Sequence, residues 1–302
     1  MSLIVTGSIG IDTVITPTAR AEGVLGGSCV YFAAAASFFT PVRLVAAVGD
    51  DFPQEYLRVF DRFDVDTTGL ERRAGSKTFR WTGRYHQNMN DRDTVDVALN
   101  VLAEDLPAVP DRFRDSRYVF LANTHPAAQL ALLEQFPDAK LVVADTMDLW
   151  INTAAEDLSK LMRRLDGLVL NDSEARALTG ESNLIAASHK IVAMGPKFVV
   201  IKKGEHGCLL NHTEGLGVLH AFPAANVVDP TGAGDSFAGG AMGYLASCGR
   251  IDLPAIRRAL AYGTIVASFT IEAFSLQRLT EITRHDIDQR LSEYAQYLRL
   301  DE

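Results

Sequence analysis

Cysteine is scarce in this sequence, with three residues in 302, at positions 29, 208 and 248. Thiols so widely spaced and odd in number make neither a disulfide framework nor a metal knuckle. They suit a reducing compartment and are expected to be buried free thiols. The seven histidines include no pair at i, i+4 and form no cluster with cysteine, which argues against a zinc site. No apolar run reaches the ~18 residues of a membrane span, and the N-terminus lacks a charged-then-apolar leader. A cytoplasmic protein without a membrane partner is expected. Basic residues are the minority, 29 Lys and Arg against 38 Asp and Glu, for a net charge of −9. With no basic run to displace counterions, nucleic acid is not an expected partner. Neither a fixed-period repeat nor a low-complexity linker is present.

What remains is globular: 47% apolar and 22% charged residues are near the averages of folded domains. The length, about twice the ~150 residues of a single-domain prior, allows one large α/β domain or a core with an appendage. Short apolar runs at Leu3–Thr6, Val42–Val48, Tyr118–Ala122, Leu141–Asp145, Gly167–Asn171, Phe198–Lys202 and Cys208–His212 read as strands. Amphipathic stretches lie between many of them, at Ser28–Phe39, Pro53–Phe63, Pro126–Gln135, Ala154–Arg164, Ser173–Thr179 and Asn183–Met194. This alternation predicts a mostly parallel sheet flanked by helices. The last third is helix-rich, over Gly234–Ser247, Pro254–Phe269 and Arg284–Leu298. One segment breaks the rhythm. Between Ser76 and Val101 two β-prone runs flank an Asn/Asp-rich turn, which reads as a hairpin, either decoration or a cover over a site.

The strongest chemical signal is DPTGAGDSFAGG, Asp229 to Gly240. Small residues leading into a helix expose several backbone N–H groups in one direction, and the helix dipole adds positive potential there. Gly232, Ala233 and Gly234 thus form a candidate anion hole, with Asp235 at its mouth as a candidate base. A helix N-cap is the competing role for Asp235. A P-loop would need a Lys after its last glycine, and the dinucleotide fingerprint would need glycine at Phe237, so both fail.

With DPTGAGDSFAGG at residues 229–240, Gly26-Gly27-Ser28 before a small-residue helix, and VRLVAAVGDDF at residues 42–52, the chain resembles the ribokinase (PfkB) family of carbohydrate and nucleoside kinases. The resemblance covers essentially the whole length. It implies one ribokinase-like domain over residues 1–302, with lid insertions at about 12–26 and 76–101 forming a small β-sheet over the sugar. It also implies transfer of the γ-phosphoryl group of ATP to a primary hydroxyl of a sugar or sugar-like substrate. The alternatives are a nucleoside kinase, for which Phe79, Trp81 and Tyr85 would supply an aromatic floor, or a silent ligand-binding relative.

By the same resemblance Asp235 is the base and residues 232–234 are the anion hole, suited to a reaction that needs positioning and electrostatics more than covalent help. Asp12 is the acidic residue at the end of the first strand that binds sugar hydroxyls, and Gly26 and Gly27 let the sugar lie on bare backbone. Asn171 and Glu174, in NDSE, place magnesium and phosphate, Glu174 acting through water; the same four residues also read as a helix-capping sequence. Lys202 and Gly204 stand at the nucleotide-binding strand end, although Lys202 also reads as a solvated charge and Asp12 as a turn residue. Asp229 is the candidate holder of a monovalent cation such as potassium. The chain departs from the family at Pro230, where many relatives carry Thr, and at Ala267–Ser275, which lacks the Arg-Lys-Gly pattern of ribokinase itself. A homodimer through the lid is the expected assembly.

Overall fold

The computed structural model describes residues 2–299. Nine strands form one sheet: β1 (Leu3–Thr6), β4 (Val42–Gly49), β5 (Val65–Arg73), β8 (Tyr118–Leu121), β9 (Leu141–Asp145), β10 (Gly167–Asn171), β11 (Phe198–Lys202), β12 (Cys208–His212) and β13 (Gly215–Leu219). Their spatial order is β13-β12-β11-β10-β9-β8-β1-β4-β5. Only the β11–β12 and β12–β13 pairs are antiparallel. Four further strands, β2 (Gly10–Ile15), β3 (Arg20–Gly26), β6 (Phe79–Tyr85) and β7 (Arg92–Ala98), make a separate small sheet in the order β3-β2-β6-β7.

The apolar strands are continuous because both faces of the large sheet are covered. Leu3 and Val5 enter one core with the helices Ser28–Ser37, Ala233–Cys248 and Leu253–Thr270. Ile4, between them, enters the other core, with Ala155–Met162 and Leu184–Ala193. On the first face Phe32 stacks on Phe120 at 4.3 Å between centroids, an arrangement that adds ~0.5–1.5 kcal/mol to simple burial. The helices Ser28–Ser37 and Ala233–Cys248 touch backbone to backbone. A Cβ on Gly239 would stand 2.3 Å from the Phe32 carbonyl oxygen, and one on Gly243 2.8 Å from that of Ala36.

Cys29 and Cys208 are buried free thiols as expected, but Cys248 is exposed. It ends its helix, just before the left-handed Gly249 cap, where the chain leaves the core. Among the described residues no helix is long and apolar enough to cross a membrane.

Candidate active site

The cleft opens at the carboxyl ends of the parallel strands, the usual ligand side of such sheets. β9 ends in Asp145, β10 in Asn171 and β11 in Lys202. Asn171 and Lys202 are register partners, which brings the NDSE turn beside the lysine. Toward the same point runs the N-terminus of the helix Ala233–Cys248, capped by Gly232 at φ 75°. Glycine is required there twice over: the backbone is left-handed, and a Cβ would lie 2.3 Å from the Tyr31 ring.

Asp235 is therefore the third residue of its helix rather than its N-cap, so the capping alternative does not describe its position. Burial raises its carboxyl pKa, while Lys202 and then Arg92 oppose the rise. Lys202 lies over the loop, its Nζ 2.7 Å from the place a Cβ would take on Gly234. Of the three candidate anion-hole amides, that of Ala233 already donates to the Pro230 carbonyl at 3.1 Å. Among the described residues those of Gly232 and Gly234 have no backbone acceptor.

NDSE forms a complete capping box: Asn171 Oδ1 accepts from Glu174 N at 2.8 Å, and Glu174 Oε2 accepts from Asn171 N at 2.7 Å. The geometry thus meets the capping reading in full and still leaves Glu174 Oε1 uncommitted. Burial raises the Glu174 pKa against the pull of Lys202. No group of three or more His, Cys, Asp or Glu side chains among the described residues could hold a metal. A magnesium ion held mainly by water and phosphate fits such a donor set; a protein cage does not.

Asp12 sits inside β2 of the small sheet, not at the end of the first strand. The chain leaves β1 at Thr6 and turns into β2 before reaching it. The carboxylate is 4% exposed, and its Oδ1 has no hydrogen-bond partner in the protein. Its Oδ2 would be 1.9 Å from a Cβ on Gly26, so only glycine at 26 leaves room for it. Burial, then the charges of Asp229 and Asp235, push its pKa up to about 7, against a pull from the Gly27 N–H. Gly27 itself opens the helix Ser28–Ser37 at φ 98°. Phe79 shares the carboxylate's face: the site of a Cβ on Gly10 is 2.9 Å from both Phe79 Cδ1 and Asp12 Oδ1. Trp81 is the register partner of Asp12.

Asp229 is 1% exposed; its Oδ1 accepts from Thr231 N at 2.8 Å and its Oδ2 has no partner. A buried, half-satisfied carboxylate is suitable donor chemistry for a cation. Gly204 follows β11 but lies beneath Asn90, in the turn between β6 and β7, whose Oδ1 is 2.7 Å from the site of a Gly204 Cβ. Three side chains of the cleft escaped sequence reasoning. Asp145 is buried with Oδ1 unpartnered and its pKa raised by burial, then by Asp235. Its signal was a carboxylate ending the apolar run LVVAD. Tyr31, under Gly232, and Arg92, on β7, carry no local signal.

Parallel strand ends facing a helix N-terminus, with a small sheet beside them, define the ribokinase-like architecture, and solved structures of that class superpose on the chain. The nucleoside kinase of Burkholderia thailandensis, in complex with inosine, matches with a TM-score of 0.78 at 19% identity, over 96% of this chain and 97% of that one. The aminoimidazole riboside kinase of Salmonella enterica, complexed with its riboside and an ATP analogue, matches with a TM-score of 0.76 at 20% identity, over 96% and 100%. A putative ribokinase II of E. coli with ATP and Mg2+ matches with a TM-score of 0.76 at 17% identity, over 97% and 99%. In sequence, the chain is 29% identical to the cytidine kinase of Thermococcus kodakarensis over 274 residues, 86% of this chain and 96% of the relative. Residues 23–282 match the model of the pfkB family of carbohydrate kinases. The chain belongs to that family, and it is a ribokinase-family kinase.

Proposed function

We propose that this kinase transfers the terminal phosphoryl group of ATP to the primary hydroxyl of a nucleoside. The observation that carries the choice of a nucleoside over a free sugar is the aromatic surface beside Asp12. Phe79 shares the face of the carboxylate, and Trp81, its register partner, lies flat over Gly83, where a Cβ would be 1.9 Å from Cη2 of the indole. Asp12 accepts the vicinal hydroxyls of the ribose while the rings support the base, a division that a bare pentose would not need. The similarity to a cytidine kinase over 86% of this chain supports the same reading.

In this reading Lys202 and the N–H groups of Gly232 and Gly234 hold the phosphates, and Asp235 accepts the proton of the attacking hydroxyl. Glu174, through water, holds magnesium, which when bound neutralises phosphate charge. The small sheet acts as the lid.

ADP release measured over cytidine, uridine, adenosine, inosine, ribose and fructose tests the acceptor. At least one nucleoside is expected to exceed ribose in kcat/KM; ribose or fructose exceeding every nucleoside would refute the reading. Glu174→Gln is expected to lower turnover while leaving nucleoside affinity within about threefold, because it removes charge at the metal end alone. Loss of nucleoside binding in that variant, measured by calorimetry, would move Glu174 to the acceptor side.

A further inference from the structure

The segment that follows the helix Leu253–Thr270 touches both halves of the cleft. At its start the Ile271 carbonyl accepts from two amides at the entry of the DPTGAGD loop, Val228 N at 2.8 Å and Asp229 N at 3.3 Å. At its end the Ser275 hydroxyl donates to the Leu25 carbonyl, next to Gly26 on β3. Burial raises the Asp229 pKa; the hydroxyl and N–H of Thr231, and after them the Ser275 N–H, oppose that rise. Residues 271–275 thus form a strap between the anion loop and the small sheet. Ser275 holds φ 54°, a left-handed backbone that a residue with a side chain keeps only where its surroundings fix it.

What fixes the strap is an ion cluster on its outer side. Glu272 Oε2 accepts from Arg278 Nε at 2.8 Å, and Glu272 Oε1 pairs with Arg290 at 2.7 Å. The same Arg290 nitrogen donates to Ser268 Oγ at 3.0 Å. Ion pairs on an open surface hold little. The Arg290 side chain, however, is 17% exposed and packs on two rings, its Cζ 3.3 Å from the centroid of Phe269 and 5.1 Å from that of Phe222. Phe222 lies in the segment leading to the loop, where the His220 carbonyl accepts from the Tyr294 hydroxyl. Arg290 and Tyr294 both belong to the helix Arg284–Tyr297. One helix therefore grips the chain before the anion loop and, through Glu272, the strap that fastens it.

We propose that Glu272 is a positioning residue of the phosphoryl transfer, held by Arg278 and Arg290 so that the strap keeps the anion loop and β3 at one spacing. The proposal rests on the reading of Gly232, Gly234 and Asp235 given above. Glu272 touches no reacting group. It acts through the Ile271 carbonyl on Val228 and Asp229, and so on the loop that follows them. A small displacement of that loop moves its amides off the transferring oxygens and Asp235 off the acceptor proton. The loss is then felt in the transition state more than in binding. The stretch Ala267–Ser275 is also where the chain departs from ribokinase itself, and Glu272 is the one charged residue it carries.

The test compares wild type with Glu272→Gln, Arg290→Lys and Arg284→Gln. The last removes an ion pair with Asp288 from the same helix, where Arg284 packs on Phe39 and Tyr262, and so controls for general loosening. Glu272→Gln is expected to lose ~10–10²-fold in kcat, the scale of a displaced reacting group, with both KM values changed less than about threefold. Arg290→Lys should lose at least about threefold, and adding it to Glu272→Gln should cost less than about twofold more, because both act through one pair. Arg284→Gln should keep the wild-type kcat whatever its melting temperature. In Glu272→Gln, hydrogen exchange at the Val228 and Asp229 amides should quicken at least about tenfold, with β10 and β11 unchanged. A lowered melting temperature at undiminished kcat would make the cluster purely structural and overturn the proposal, as would unchanged exchange at Val228 and Asp229. Should Glu272→Gln not fold, Arg290→Lys decides on the same readouts. If wild type releases no ADP with any acceptor, the functional reading fails separately, and the exchange comparison still decides whether Glu272 holds the loop.

Discussion

Asp235→Asn is expected to reduce turnover by ~10²–10⁴-fold, or roughly 3–5 kcal/mol of barrier, the range of general-base assistance. The substitution keeps the shape of the side chain but cannot accept a proton from the acceptor hydroxyl. Nucleotide affinity should hold, since the groups assigned to the phosphates are Lys202 and the amides of Gly232 and Gly234. The melting temperature should stay at or above that of wild type: Asp235 caps nothing, and burial already disfavours its charge. Steady-state kinetics and a thermal melt on the same preparation check both halves. A folded Asp235→Asn enzyme retaining more than about a tenth of wild-type turnover would remove the catalytic assignment.

Asp12→Asn is expected to make the protein more stable in mild alkali and to cost it its acceptor. The folded-state pKa of Asp12 is about 7, above the ordinary carboxylate value of 3.8. The folded chain therefore binds more protons than the unfolded chain across that interval. The stability Asp12 contributes is complete below pH ~4 and is lost as pH rises through ~7, by roughly 2–4 kcal/mol. Asparagine carries no such loss, so the melting temperature of the variant should exceed that of wild type at pH 8 and approach it at pH 5. A difference that does not change with pH would show that Asp12 does not titrate in this range. Acceptor affinity is expected to move the other way in wild type, because in the proposed reading the ionised carboxylate accepts hydrogen bonds from two acceptor hydroxyls. It should weaken as pH falls below about 7. In the variant it should fall by roughly 30- to 1,000-fold, the worth of two charge-assisted hydrogen bonds.

Legibility in the sequence followed burial. β9, β10, β11 and β12 span the residues expected of them, because a strand covered on both faces must be apolar from end to end. No candidate strand covered β2, which is interior to the small sheet, or β3, β5 and β13, which lie at sheet edges. There, half-exposed runs such as VDTTGLERR carry no pattern that a loop could not. In the site, Asp229 to Asp235 are contiguous, so one stretch of chain could be read as a loop, a helix start and a carboxylate. Asp12 was picked as a residue but set on the wrong strand, since nothing local marks where β1 ends and the small sheet begins. Asp145, Tyr31 and Arg92 meet Asp235 only through the topology of the sheet and the hairpin. No spacing along the chain encodes that meeting.

The seam between the helices Ser28–Ser37 and Ala233–Cys248 acts as a ruler. Gly27 opens one helix beside Asp12, and Gly232 opens the other at the anion loop. Because the two backbones approach closely at Phe32–Gly239 and Ala36–Gly243, a side chain placed at either glycine would force the helices apart. The spacing between the two openings is thereby set by main chain and is indifferent to most substitutions. In the proposed reading, acceptors of different bulk are accommodated by the small sheet, whose strands lie outside this seam. On that reading specificity is set in one part of the chain and the separation of the two helix openings in another.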